Sequence, residues 1–387
     1  MFDFGSSSSK VGYSGEDLPR SVFSSLVGSY GPDSTNISKK DREKVFVGDQ
    51  QIYKWRPGME LQSPFTDGGL IDNWDLLQNL WDHSYHSVLH VDPKEHPLLF
   101  CEPSWNTKEL REKLCEVAFE SYGVPAFYLG RSASLAAFAS GRPSALVVDC
   151  GSTMTSVVPV HDGYVCQQAI ERAPLGGDFV SAQVEHYLTA QKGIKIVPQY
   201  KVLSKKPVDC GATADYVAVS RPNTTDSFHR FAVEGVLHEF KQAVAHVHDT
   251  QLTDINASRK APKNYEFPNG YNAIFSGDRF SPAEGLFDAS RVLNPSSDDN
   301  NSNVTIKSLI HSSVAKCDVD LRNLLYGNVV ITGGGSMLPG FADRLYHELH
   351  IEAPNVIILI PLVLFHFLTI RFFTTEQSQS CCCWRCF

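Results

Sequence analysis

Two copies of Asp-x-Gly-Ser, Asp3-Phe4-Gly5-Ser6 and Asp149-Cys150-Gly151-Ser152, and a glycine cluster, Gly333-Gly334-Gly335-Ser336, are the residues of this chain best suited to chemistry. Each follows a short apolar run, of which Ala145-Leu146-Val147-Val148 is the clearest, so an acid and then a glycine arrive where a strand ends. Glycine puts no Cβ in the way, and consecutive backbone N–H groups can turn inward as a nest that binds anions. The acids, being like-charged, would not touch a phosphate. They would face it through the water shell of Mg²⁺, which dehydrates reluctantly and favours carboxylate oxygen. One Asp-x-Gly-Ser is ordinarily a turn. Two behind strands, with a third glycine loop, read as a duplicated phosphate grip and a nucleoside-side loop.

The elements that must position these residues are legible in outline. The first 31 residues read as strand, turn, strand, and 32–44 as a polar loop. Asn106 with Glu109 reads as a capping box for a helix whose apolar face is Leu110, Leu114, Val117, Ala118 and Tyr122, stopped at Gly123. A second helix over 135–139 runs into Ser140-Gly141-Arg142-Pro143, a hinge, after which the second hairpin begins. The composition turns polar between 249 and 272, and 294–301 reads as a surface loop. At 387 residues and 42% hydrophobic the chain can bury a full core and suggests two lobes. Its net charge of −9, with Lys and Arg scattered, argues against a strong direct grip on nucleic acid. The start Met1-Phe2-Asp3 lacks the pattern of a secretory signal. Six singly spaced cysteines fit buried thiols in a reducing compartment, and the other four crowd the last seven residues.

In order along the chain, Val11-Gly12-Tyr13-Ser14-Gly15-Glu16-Asp17-Leu18-Pro19-Arg20, Gly69-Leu70-Ile71-Asp72-Asn73-Trp74-Asp75, Glu95-His96-Pro97, Pro125-Ala126-Phe127-Tyr128, Tyr265-Glu266-Phe267-Pro268-Asn269-Gly270, Lys316-Cys317-Asp318 and Ser336-Met337-Leu338-Pro339-Gly340 resemble the motifs of actin and the actin-related proteins, with coverage to about Asn355. Within that family, Val160-His161-Asp162-Gly163-Tyr164-Val165, Leu175-Gly176-Gly177-Asp178-Phe179 and above all Arg221-Pro222-Asn223-Thr224-Thr225-Asp226-Ser227 are similar to the nuclear members found in chromatin-remodelling and histone-acetyltransferase complexes.

The resemblance implies an α/β, two-lobed fold of the actin/Hsp70/sugar-kinase ATPase type with duplicated βαβ cores. It divides the chain into a small lobe over 1–139, a large lobe over 140–355 and an atypical apolar, Cys-rich tail over 356–387. Matched residue by residue, it implies an ATP and Mg²⁺ site. Gly5, Ser6 and Lys10 fall on the first phosphate loop and Gly151, Ser152 and Thr153 on the second. Asp3 and Asp149 fall on metal-water positions, and Gly177, Lys241, Gln242, Gly333, Gly334, Ser336 and Met337 on the nucleoside side.

It also exposes departures. Where actin carries a glutamine and a histidine that orient the attacking water, and a second acid in the second loop, this chain carries Ser132, Ser156 and Ser152. In-line attack on phosphate needs that water held in place. The expectation is therefore a nucleotide bound structurally, with hydrolysis absent or very slow. The resemblance also implies altered filament contacts, since 39–44 replaces the family's subunit-contacting loop, and a Ser7 side chain beside the γ-phosphate where actin has glycine. The implied protein is a non-catalytic nuclear scaffold, partly cytoplasmic, whose partners are actin and helical segments of remodeller or acetyltransferase subunits. The alternative is a polymerising cytoskeletal ATPase. The run 356–373 is long enough for a membrane span but holds Pro361, His366 and Arg371, so it reads as an intron-derived or alternative ending in preference to an anchor.

Overall fold

The computed structural model describes residues 1–30, 44–293, 304–352 and 362–363. Strands β1 (Phe2–Phe4), β2 (Ser8–Val11) and β3 (Ser21–Ser24) form an antiparallel meander. Strands β4 (Val27–Tyr30), β5 (Phe46–Val47) and β6 (Met59–Gln62) make a separate three-stranded sheet. Strands β7 (Leu98–Glu102) and β8 (Phe127–Arg131) then add in parallel to β1, giving the order β3-β2-β1-β7-β8.

The second half repeats that plan. Strands β9 (Ala145–Cys150), β10 (Thr155–His161), β11 (Tyr164–Val165) and β12 (Glu171–Ala173) open with an antiparallel hairpin. Two outlying hairpins follow, β13 (Val202–Lys205) with β14 (Tyr216–Ala218) and β15 (Lys263–Glu266) with β16 (Asn272–Phe275). Strand β17 (Val329–Thr332) then pairs in parallel with β9, and β18 (Leu362–Val363) with β17, giving β11-β10-β9-β17-β18 with β12 also on β10. An antiparallel hairpin followed by parallel additions, twice over, is the duplicated α/β fold the resemblance implies.

The helices include α1 (Trp74–Asp82), α2 (Lys108–Glu116), α3 (Ser132–Ala139), α4 (Gly177–His186), α5 (Asp226–Ala243), α6 (Ile306–Ala315) and α7 (Phe341–Glu352). The capping box expected at Asn106 with Glu109 is replaced by a simple side-chain cap one residue later. Thr107 is the cap, its Oγ1 accepting from the Leu110 N–H, while the Asn106 amide donates to the buried Glu102. The helix passes into a π-helical turn, Val117–Ser121, and Gly123 with φ +64° follows where the stop was expected. The polar stretch after 249 holds β15 and a short helix (Asp254–Ser258). The loop 294–301 and all but Lys44 of 39–44 lie outside the described residues, as does the tail except for β18. Among the described residues no helix is long and apolar enough to cross a membrane.

Each large sheet has its own apolar core, one around Phe2, Trp81 and Phe100, the other around Phe240, Leu237 and Ile331. A separate cluster of Ile52, Met59, Leu61 and Phe228 takes residues from both halves. Deep in the second half Arg344 and Glu284, each with a side chain 1% exposed, pair at 2.9 Å through Nη2, and Arg344 Nε donates to Glu348 at 2.8 Å.

At the edge of the second sheet, Glu171 on β12 accepts from Ser312 Oγ on α6 at 2.7 Å and pairs with Lys316 at 2.5 Å. Burial alone would raise this carboxyl, but Lys316 and Ser312 hold it below its ordinary value. A depressed carboxyl stabilises the fold above its unfolded pKa and loses that contribution as pH falls through the folded one. Lys316→Met is therefore expected to lower stability near pH 7 and to shrink the loss between pH 7 and pH 3. Equilibrium urea melts at both pH values, wild type beside variant, measure this, and an unchanged pH dependence counts against it.

Candidate functional site: a cleft floored by two hairpins

The two Asp-x-Gly-Ser hairpins face each other. Ser6 Oγ and Thr153 Oγ1, 147 positions apart in the chain, share a hydrogen bond of 3.4 Å. Each hairpin closes the same way, Gly5 N–H to Ser8 O at 3.0 Å and Gly151 N–H to Met154 O at 2.9 Å. Each also has its carbonyls tied back. In the first, Ser25 is the brace: its Oγ donates to Gly5 O at 2.6 Å and its N–H to Ser7 O at 3.0 Å, while Ser9 Oγ meets Ser25 Oγ at 2.8 Å. In the second, the N–H groups of Gly177 and Asp178 at the start of α4 donate to Gly151 O at 2.9 Å and Ser152 O at 2.8 Å. Those are N–H groups a helix leaves unsatisfied. With the carbonyls held behind, the N–H groups of Ser6, Ser7, Ser152 and Thr153 make no hydrogen bond among the described residues. This is the arrangement of an anion nest, made twice.

The charges around it fall into two groups. Asp3 and Lys10 are partners in the β1–β2 register, and Lys10 Nζ pairs with Asp3 Oδ2 at 3.0 Å. Burial pulls the Lys10 ammonium down, but Asp3, and more weakly Asp149, hold it above its ordinary value. Lys10 thus feels both hairpin acids at once. On the other wall Ser152 Oγ donates to Asp178 Oδ1 at 2.9 Å and Lys241 Nζ to Gly177 O at 2.8 Å. Burial raises the Asp178 carboxyl against the pull of Ser152 and Lys241, and burial lowers Lys241 against Asp178 and Glu234. No group of three or more His, Cys, Asp or Glu able to ligate a metal directly occurs among the described residues.

Glycine is required at two of these positions by close approach. Gly333, with φ +91°, packs its Cα against Cys150 O and Asp149 Oδ1, so a Cβ there would overlap both. Gly176 lies against Ser152 O and Met154 N in the same manner. Ser336, 4% exposed, donates from Oγ to Gly333 O at 2.7 Å and fixes the third loop.

The residues expected at the site are placed as follows. Asp3, Gly5, Ser6 and Lys10 lie on one hairpin, Asp149, Gly151, Ser152 and Thr153 on the other, and Gly177, Lys241, Gly333 and Ser336 on the second half's wall. Gly334 faces open space, with nothing within 4 Å of a Cβ position. Gln242 is exposed and hydrogen-bonds His238 at 2.8 Å, and Met337 is 51% exposed; among the described residues no hydrogen bond or ion pair ties either to the hairpins. The exposed Ser7 lends its carbonyl to Ser25. Asp178, Gly176 and Ser25 were not assigned roles from the sequence. The pair Gly176-Gly177 ahead of an acid at a helix start was the available signal for the first two, and none marked Ser25.

A phosphate-bearing ligand and a metal held through water fit these residues: two hairpins that meet through Ser6 and Thr153 carry amides with no hydrogen-bond partner among the described residues, a lysine and two carboxylates lie on the same strands, and Gly333 leaves no room for a Cβ against Asp149 and Cys150. Two lobes of repeated topology meeting at paired hairpins define a protein of the actin-like, cleft-bearing class. The chain belongs to the actin family, whose model matches residues 1–362. That match runs past Asn355, to the point where Leu362–Val363 joins the second sheet. The chain is similar to Actin-related protein 4 of Arabidopsis thaliana, 36% identical over 380 residues that cover 92% of this chain and 85% of the relative. It is 37% identical to Actin-related protein 4 of Yarrowia lipolytica over 89% of this chain and 80% of that one. It is 34% identical to the SWI/SNF and RSC complexes subunit arp42 of Schizosaccharomyces pombe, over 90% and 83%.

Proposed function

We propose that this chain is a nuclear actin-related subunit of chromatin-remodelling and histone-acetyltransferase assemblies, in which ATP with Mg²⁺ is a structural ligand and the catalysis belongs to other subunits. The observation that carries the assembly role is its similarity along nearly the whole chain to a relative named as a SWI/SNF and RSC subunit. Its partners there are actin and helical segments of the remodeller or acetyltransferase scaffold. A polymerising cytoskeletal ATPase, the other reading, is not favoured by those relatives.

Within the site, the hairpin amides and Lys10 bind the phosphates. Asp3 and Asp149 accept hydrogen bonds from the metal's water, and Gly177, Lys241, Gly333, Gly334, Ser336, Gln242 and Met337 line the nucleoside side. When bound, Mg²⁺ neutralises phosphate charge. What supports slow turnover is the wall beside the second hairpin. Ser156 lies directly across from Asp149 in the β9–β10 register and is 3% exposed, and Ser132 is the first residue of α3. Neither hydroxyl extends far enough from its Cα to do the work of an imidazole or a carboxamide there, nor is either a base near neutral pH.

The test has two arms. In single turnover, MgATP bound to this protein is expected to hydrolyse at least about a hundredfold more slowly than on conventional actin measured alongside, the scale of losing a positioning group. Hydrolysis at actin's rate overturns the structural-ligand half. Affinity purification from nuclei followed by mass spectrometry is expected to recover remodeller or acetyltransferase subunits, and recovery of filament proteins alone overturns the assembly half.

A further inference from the structure

We propose that the second half carries a second anion site, for a phosphate-monoester group, built on the buried guanidinium of Arg279 with the His246 imidazole beside it and Lys260 and Lys263 at its exposed rim. It uses no residue of the two hairpins and does not rest on the nucleotide reading.

Among the described residues two arginines are buried, and their surroundings are opposite. Arg344, 1% exposed, is met by Glu284, Glu348 and backbone carbonyls. Arg279, 5% exposed, has no hydrogen bond or ion pair for its guanidinium among the described residues, and its Nε and Nη1 are both shut off from solvent. Burial lowers this group, where Glu284 and Glu348 hold Arg344 above its ordinary value. Its one contact of note is the Phe280 ring, 4.9 Å from the guanidinium carbon. Such a contact is worth less than the desolvation of an unpaired cation, so packing alone does not account for an arginine here.

What surrounds Arg279 is cationic. His246 and His248, just past the end of α5, bring their rings against the same Phe280 at 5.3 and 5.4 Å. The stretch 257–263 is pinned to the turn that holds Arg279, Gly277–Phe280, at both ends: Ala257 packs on Gly277 so closely that a Cβ there would overlap its carbonyl, and Lys263 pairs across from Phe275 in the β15–β16 register. Lys260 lies between these two anchors, and it and Lys263 are exposed. His246 feels the whole group. Burial pushes its imidazole below the ordinary value, and Arg279, Lys260, Lys263 and His248 push it further in that order, so near pH 7 it is neutral with one ring N–H to donate. The neighbouring acids are engaged, Asp249 with His248 at 3.0 Å and Lys260 at 3.8 Å, and Asp278 with Lys192.

Charge then selects the ligand. Arg279, Lys260 and Lys263 set three positive charges against the one negative charge of Asp249, an excess of two. A phosphate monoester carries about −1.5 to −2 near pH 7 and three acceptor oxygens, enough for the guanidinium, the imidazole and a lysine together. A carboxylate brings one charge and two oxygens.

The probe is inorganic phosphate, titrated into the full chain carrying isotope-labelled histidine and read at the carbon-bound ring protons of His246, which His246→Gln identifies. A local reading is needed because the hairpin amides are expected to take phosphate as well. Phosphate is expected to move this resonance to saturation, and Arg279→Met to weaken the response at least about tenfold, the factor one charge-assisted hydrogen bond supplies. Lys260→Ala with Lys263→Ala should weaken it roughly threefold. Since Arg279→Met removes a buried charge that has no acceptor, the ligand-free variant should melt level with or above wild type, the reverse of what removing a paired arginine does. A peptide with phosphoserine between two alanines, run beside the free ion, separates the sources: tighter binding assigns the site to a phosphorylated partner side chain, equal or weaker binding to free phosphate or a small ester. No movement at His246 with either probe overturns the site, as does the same movement with sodium chloride at matched ionic strength. A lower melting temperature with an unchanged phosphate response makes Arg279 a packing residue and also overturns it. Should Arg279→Met fail to fold, the double lysine variant decides, an unchanged response there counting against the site.

Discussion

Gly333→Ala is expected to cripple both the fold and the proposed nucleotide site. The residue sits at φ +91°, where an L side chain costs roughly 1–2 kcal/mol on backbone grounds alone. A Cβ there would also overlap Cys150 O and the Asp149 carboxylate, the first of them main chain in the central strand β9, which cannot yield without disturbing the sheet. Together these put the expected loss at several kcal/mol, among the large single-site effects. Because the clash falls on the second hairpin's acid, nucleotide affinity is expected to fall by more than about a hundredfold in whatever protein still folds. Gly334→Ala is the matched control: its Cβ meets nothing within 4 Å and its φ is not left-handed, so stability should stay within about 0.5 kcal/mol of wild type. Urea melts and nucleotide titrations of the two variants measure the contrast, and equal behaviour refutes the account of the third loop.

The second large effect is expected at Arg344. Its guanidinium binds Glu284 through both nitrogens, at 2.9 and 3.2 Å, donates to Thr250 O at 2.8 Å and reaches Glu348 through Nε. Burial would lower this group, yet Glu284 and Glu348 hold it above its ordinary value. Removing one member of a buried pair strands the other, at about 3–5 kcal/mol. Arg344→Met should therefore drop the melting temperature by on the order of 10 °C. The double variant Arg344→Met with Glu284→Met, which strands no charge on Glu284, is expected to recover most of that loss. If the double variant is as unstable as the sum of the singles, the pair is not acting as a unit. Since Arg344 lies in the first turn of α7, just after the third loop, nucleotide retention is a second readout of the same change.

How far the sequence alone reached is clear from the same residues. The hairpins were legible because glycine after an acid at a strand end has few uses, and both closed as read. The Asp3–Lys10 pair was implicit in the hairpin register, since strands that turn at 5–8 place 3 opposite 10. Thr107 was missed as a cap because Asn106 is as good a capper by type, and only the Glu102 carboxylate, which engages the Asn106 amide, decides between them. Gln242 and Met337 followed the family's alignment, which fixes where a backbone goes but not where a long side chain points. Ser25 and the hydrogen bond of Trp55 with Thr224 were out of reach. Serine and tryptophan carry no positional signature, and pairings across more than 160 residues leave no trace in local periodicity.

The tied-back carbonyls of the two hairpins bear on the heat and disorder of binding. A loop that folds around its ligand must give up chain entropy at that moment, and affinity is diminished by that amount. Here Ser25 on one side and the start of α4 on the other have already immobilised both loops, so the ordering is complete when the protein folds. On the proposed function, a phosphate would meet a fixed array of donors. Its capture would then resemble filling a mineral vacancy more than wrapping a flexible strand, with an expected entropy change dominated by released water and little contribution from the chain.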